Sequence, residues 1–163
     1  MKVDTAYTTH LPVLMKVMDI TNGPVLELGI GFYSTPVMHW KCYSAKRKMV
    51  SYESSEGWVK YFRHYCSDIH EINHIDDWTK LDVAGMWDVV FIDQDPAEAR
   101  GLTAKMVAQN AKYVVLHDSD PKRDVYYKYS EVYPLYKYRF DFTEVRPHTT
   151  LLSNFVDLKD FTI

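Results

Sequence analysis

Glu27-Leu28-Gly29-Ile30-Gly31 is the segment best suited to hold a ligand. Two glycines one residue apart can take backbone angles closed to other residues and let a ligand approach the main chain. A helix starting just behind them offers unpaired N–H groups. Such loops hold pyrophosphate in dinucleotide sites, but the third glycine of a G-x-G-x-x-G pattern would stand at position 34, which is Ser34. The charge of Glu27 also opposes a pyrophosphate and suits a cationic or amine-bearing ligand. Glu53 and Ser54 close the next apolar run, where an acid can accept from both hydroxyls of a ribose. Asp76, Asp77 and Trp78 close a third. They offer a carboxylate to an adenine amino group and an indole to its ring. Taken singly, Glu53 also fits a solvated strand end and Trp78 an ordinary core position. In this order the three elements describe a pocket for a nucleoside with a polar amino-acid tail.

The elements that must carry these residues follow from apolar periodicity. A helix is expected over 11–20, ended by Asn22-Gly23-Pro24. Strand 25–28 runs into the glycine loop. Ser34 or Thr35 can cap the next helix, which reaches about Ala45, with Pro36 in its first turn. Strand 48–53 is followed by helix 55–65, with Trp58, Tyr61, Phe62 and Tyr65 on one face, and by strand 69–75. The stretch 76–86 has room for barely a turn of helix. Strand 87–93 precedes helix 96–110, whose Leu102, Met106 and Val107 should face inward. Strand 112–117, a short helix in 124–133 and a closing pair of strands, 136–145 and 149–158, complete the chain. Alternating strands and helices predict an α/β, Rossmann-like, doubly wound and mostly parallel sheet of seven strands. Its C-terminal strand is antiparallel, and the helix between the third and fourth strands is reduced. One domain is expected over 1–163, made of an N-terminal helical segment (1–23), a ligand-binding core (24–118) and C-terminal strands (119–163).

Composition narrows the class. The 163 residues suit one domain, and 47% apolar residues supply a core. A net charge of −3 argues against a nucleic-acid partner. Aromatics and cations do alternate from Lys122 to Arg146, a pattern suited to a subunit interface, to plain packing or to an anionic substrate. Cys42 and Cys66 are too few for a disulfide scaffold and read as buried thiols on helices in a reducing compartment. With neither a signal-peptide pattern nor an apolar run long enough to span a bilayer, a cytoplasmic protein without membrane contact is expected.

GPVLELGIGFYSTP, VSYES and WDVVFID together resemble the cofactor half of class I S-adenosylmethionine (SAM)-dependent methyltransferases, over about 24–118. A narrower likeness, to a group of small methyltransferase-like proteins, is carried by several further segments. These are His10-Leu11-Pro12, Ser34-Thr35-Pro36, Trp58, Phe91-Ile92-Asp93, Arg100, His117-Asp118 and the closing Thr149-Thr150-Leu151-Leu152-Ser153-Asn154. The resemblance implies SAM as cofactor. Glu27, Gly29, Ile30, Gly31, Ser34 and Thr35 would border its methionine part, Glu53 and Ser54 its ribose, Asp77 and Trp78 its adenine, and Asp93 its reactive end.

In that fold the ends of the fourth and fifth strands face the methyl group. Here they carry Asp93-Gln94-Asp95 and His117-Asp118-Ser119-Asp120. Methyl transfer is an in-line displacement that depends on alignment, helped by a base when the acceptor must lose a proton. His117 is the candidate base, with Asp93 or Asp118 to orient it or hold the acceptor. Asp118 can equally cap the turn at Ser119-Asp120-Pro121. His10, Gln94 and Arg100 are candidate substrate contacts; Arg100 can pair with Asp93 or Asp95, clamp an acidic substrate, or form a surface ion pair. A divalent metal on Asp93, Asp95 and Asp118 is the rival use of these acids. It is not favoured, because relatives with an acid–histidine pair after the fourth strand have histidine where this chain has Pro96. The expected activity is methyl transfer to an oxygen or nitrogen of a small-molecule acceptor, by a trimmed domain whose exposed sheet flank suits a homo-oligomer. The alternatives are SAM cleavage, aminopropyl transfer, and a non-catalytic SAM-binding oligomer. An NAD-type oxidoreductase is disfavoured by Ser34 and Glu27.

Overall fold

A computed structural model describes residues 5–163. Seven strands form one sheet: β1 (Val25–Leu28), β2 (Met49–Glu53), β3 (His70–His74), β4 (Trp87–Ile92), β5 (Ala111–Leu116), β6 (Tyr138–Phe142) and β7 (Thr149–Ser153). Their order is β3-β2-β1-β4-β5-β7-β6. β1 to β5 are mutually parallel, and β7 runs antiparallel between β5 and β6. The order reverses between β1 and β4, so the loops leaving those strands flank a crevice, the place where open α/β sheets take ligands.

Successive residues of a strand point to opposite faces, and the central strands are apolar on both. Leu26, Leu28, Val90, Ile92, Val114 and Leu116 face one layer, built from α4 (Ala99–Met106), Trp78, Leu81 and the Tyr127–Tyr136 segment. Val25, Val89, Phe91, Tyr113 and Val115 face the other, built from α1 (Leu11–Asp19) and α2 (Ser34–Ala45). α3 (Glu56–Phe62) follows β2, and a short α5 (Asp124–Tyr127) follows β5. Between β3 and β4 the chain makes only a 3-10 turn, Trp78–Lys80. Arg47, buried after α2, donates to the carbonyls of Met18, Thr21 and Gly23 and so ties the end of α1 to the start of β1.

Several local expectations are corrected. Tyr33, not Ser34 or Thr35, occupies the N-cap of α2, and it makes no side-chain cap. The helix after β2 stops at Phe62 and continues as a 3-10 turn to Tyr65. Trp58 and Tyr61 lie exposed, because the shortened helix turns only Phe62 fully inward. α4 is a turn shorter at each end than the periodicity implied, and Leu102 faces solvent while Val107 is buried. Cys66 is exposed, since it follows the 3-10 turn rather than standing in a helix; Cys42 is buried. Among the described residues, no helix is long and apolar enough to cross a membrane.

Candidate active site

The loop after β1 depends on Gly29. Its φ is +91°, and a Cβ there would lie 2.6 Å from backbone atoms of Asp93 and Gln94. The glycine therefore lets the first loop pack directly on the loop after β4. A Cβ at Gly31 would meet only the Ser34 hydroxyl, at 3.3 Å, so this side of the loop stays open to a ligand. The loop amides are already ordered: Gly29 N–H donates to the Tyr52 carbonyl, Ile30 N–H to Glu53 Oε2 and Gly31 N–H to Thr35 Oγ1.

Glu27 lies beneath this loop, fully buried. Thr35 donates to its Oε1 at 2.9 Å and Ser51 to its Oε2 at 2.7 Å. Burial pushes its carboxyl up to about 7, against the pull of the hydroxyls of Ser51, Ser34 and Thr35. Ser51 is also 2.9 Å from His70 Nε2, and His70 Nδ1 is 3.0 Å from His39 Nδ1. A file of polar groups thus runs from the glycine loop to the aromatic surface around His39. Sequence reasoning missed it, because Ser51, His70 and His39 sit far apart in the chain and only the β2–β3 register unites the first two.

Glu53 ends β2 with its carboxylate between two loops: Oε2 accepts from Ile30 N–H at 3.0 Å and Oε1 from Ser55 N–H at 2.8 Å. Beside it, Phe32, Ser55, Gly57, Trp58 and Tyr61 line an open hollow of about 340 Å³. Asp77 caps its own turn, accepting from the Thr79 amide and hydroxyl, and these bonds hold its carboxyl below the usual range. Trp78 is buried; its indole N–H donates to the Asp95 carbonyl at 2.9 Å, and Ser54 Oγ donates to the same carbonyl at 3.0 Å.

The ends of β4 and β5 carry a second cluster. Arg100 is only 6% exposed. Its Nη1 contacts Asp93 Oδ1 at 2.8 Å and Asp118 Oδ2 at 3.1 Å, and its Nε and Nη2 bind the Gln94 and Asp93 carbonyls. The Tyr127 ring covers the guanidinium at 4.5 Å, and the Tyr127 hydroxyl donates to Asp118 Oδ2. Arg100 is therefore a buried strut between the two acids rather than a surface ion pair. Asp118, with φ +58°, is spent on this network instead of capping the turn after it. Gln94 donates to Thr103 Oγ1 at 2.6 Å, and its Oε1 is buried without a partner among the described residues.

His117, almost wholly buried, has Nδ1 3.1 Å from Asp93 Oδ1 and Nε2 3.1 Å from Thr9 Oγ1. Burial alone would raise the Asp93 carboxyl, but His117 and Arg100 outweigh it and hold the group below its ordinary value. Asp93 thus fixes the ring of His117 and directs its other nitrogen to the N-terminal segment. His10 stacks edge-on against His117, ring centres 4.8 Å apart, and also packs on Phe91. His10 is 2% exposed, and neither ring nitrogen has a hydrogen-bond partner among the described residues. One ligand atom from each of His10, Asp93 and His117 can be chosen so that all three lie within 4.8 Å of one another. The acid trio weighed as the rival, metal-binding use of these residues is not assembled. The Arg100 guanidinium stands between Asp93 and Asp118, and Asp95 is exposed.

No protein-family profile matches the sequence, nor does any curated protein. Solved structures do match. An O-methyltransferase from Bacillus cereus in complex with SAH aligns over 94% of this chain and 82% of its own, with 14% identity and a TM-score of 0.62. The SAH-bound Podospora anserina methyltransferase PaMTH1 aligns over 88% and 76%, with 12% identity and a TM-score of 0.65. A methyltransferase from Pyrococcus furiosus aligns over 91% and 84%, with 15% identity and a TM-score of 0.62. The strand order, the antiparallel β7 and these alignments agree: the chain has the Rossmann-like fold of the class I methyltransferases.

Proposed function

We propose that this protein is a SAM-dependent methyltransferase acting on an oxygen or nitrogen of a small-molecule acceptor. The observation that carries the reading is the direct packing of the Gly29 loop on the Asp93–Gln94 backbone. It sets a nucleoside-type cradle and a cluster of buried histidines side by side at the carboxyl ends of the inner strands. The residues fit SAM on their own chemistry. The open side of Gly31 admits an amino-acid tail, and the Glu53 carboxylate has the acceptor capacity for ribose hydroxyls. Asp77 and Trp78 stand at the end of β3, where the adenine would lie. When bound, SAM supplies a methyl group on a sulfonium centre. The chain's own part is to orient: Arg100 fixes Asp93, Asp93 fixes His117, and His10 packs edge-on against the His117 ring.

Calorimetry with SAM and with S-adenosylhomocysteine tests the reading directly. Glu53→Ala should weaken both by roughly 10- to 100-fold, the scale of two hydrogen bonds to a charged group, with an unchanged far-UV spectrum. Absence of any heat with folded wild-type protein would overturn the proposal. The cytoplasmic location and homo-oligomer expected from sequence belong to the same proposal. The exposed rings of Trp40, Tyr43, Tyr61 and Phe32 support self-association.

A further inference from the structure

We infer that His10, Asp93 and His117 form a binding site for one divalent transition-metal ion. Three separate pieces of chain converge to make it: the segment before α1, the end of β4 and the end of β5. A neutral imidazole always carries one donor and one acceptor, and burying both unpaired costs on the order of a few kcal/mol. A phenylalanine would pack on Phe91 without that cost. A metal ion removes the acceptor's share of it by taking one nitrogen lone pair.

The carboxylate is prepared as well. The bonds from Arg100 and His117 to Asp93 side-chain oxygens all fall on Oδ1, which leaves Oδ2 for an ion among the described residues. Outer hydrogen bonds of this kind orient metal ligands. Tetrahedral ligands 2.0–2.1 Å from a metal lie about 3.4 Å apart. The 4.8 Å spread of the three atoms therefore closes with small rotations of two rings. Two imidazoles and one carboxylate suit zinc, cobalt or iron(II) better than magnesium or calcium. The oxygen-rich alternative between Asp93 and Asp118 is filled by the Arg100 guanidinium.

The site itself does not depend on the methyltransferase reading; its use does. Open coordination positions would take an acceptor oxygen, which narrows the acceptor class to a hydroxyl-bearing small molecule. His117 then serves as a ligand rather than as a free base. With Nδ1 held by Asp93, its Nε2 exchanges the Thr9 hydroxyl for the ion.

Chelator-stripped protein titrated with cobalt(II) tests the site through the visible absorption of the bound ion and through stoichiometry by elemental analysis. One cobalt per chain, displaced by zinc(II) and not by magnesium, is expected. Two variants, His10→Phe and Asp93→Asn, should lose at least 100-fold in cobalt affinity. His10→Phe is the safer fold, because it removes only the unpaired nitrogens. Its melting temperature without metal should equal or exceed that of the wild type. Cys66→Ser, which alters an exposed thiol elsewhere, should leave cobalt binding intact. Lack of cobalt binding by the wild type, or unchanged binding by a folded His10→Phe protein, overturns the inference. SAM calorimetry on the same samples separates the two proposals: metal binding without SAM binding sinks only the methyltransferase reading, and the converse sinks only the metal site.

Discussion

Glu27 shows how one buried acid sets a pH response. In the unfolded chain its carboxyl loses its proton near 4.5, whereas burial keeps the proton on to about 7 in the folded protein. Between those values the native state binds more protons, so this residue lowers stability as pH rises from about 4.5 to about 7, by up to about 3 kcal/mol. His10 and His70 act in the opposite sense. Burial lowers them to about 3 and about 4 from 6.5, so the stability they permit is complete above about 6.5 and is lost as pH falls toward those values. Glu27→Gln should therefore raise the melting temperature at pH 8 by roughly 5 °C. The gain should vanish near pH 4.5, where the wild-type carboxyl is itself protonated. Melting curves by circular dichroism across that range would show it; a gain independent of pH would mean that Glu27 is not the titrating group.

At the scale of elements, α4 and α5 touch backbone to backbone. A Cβ at Gly101 would stand 2.4 Å from the Tyr127 carbonyl. Gly101→Ala must push the two helices apart and should cost roughly 1–3 kcal/mol in a urea titration. It should also loosen the Tyr127–Asp118 bond that stiffens the Arg100 strut. The elements were largely legible in the sequence. Runs such as Val89-Val90-Phe91-Ile92 are apolar on both faces, which only a central parallel strand tolerates. Their ends were less so. Thr149-Thr150-Leu151-Leu152-Ser153 stops after five residues because Asn154 turns back to bind the Ala108 and Leu135 carbonyls, a tertiary contact with no local signature. Glycine spacing and Glu53 could be picked out because strand ends are marked by composition. The pairing of His10 with His117 could not be, since 107 positions separate them and nothing but the folded register of β4 and β5 brings α1 onto that end of the sheet.

Across the whole molecule, one backbone oxygen links three of the strand-end loops. The Asp95 carbonyl, after β4, receives the Ser54 hydroxyl from the loop after β2 and the Trp78 indole from the turn after β3. A shift of one of these loops strains its bond to the others. If an adenosyl group settles against Ser54 and Trp78, Asp95 moves or stiffens in step, and so does Asp93 two residues before it. Two ligands that share such a joint bind with heterotropic coupling, each altering the affinity of the other by the same factor. The protein would then read the arrival of one as a change in its grip on the other, whichever of the two came first.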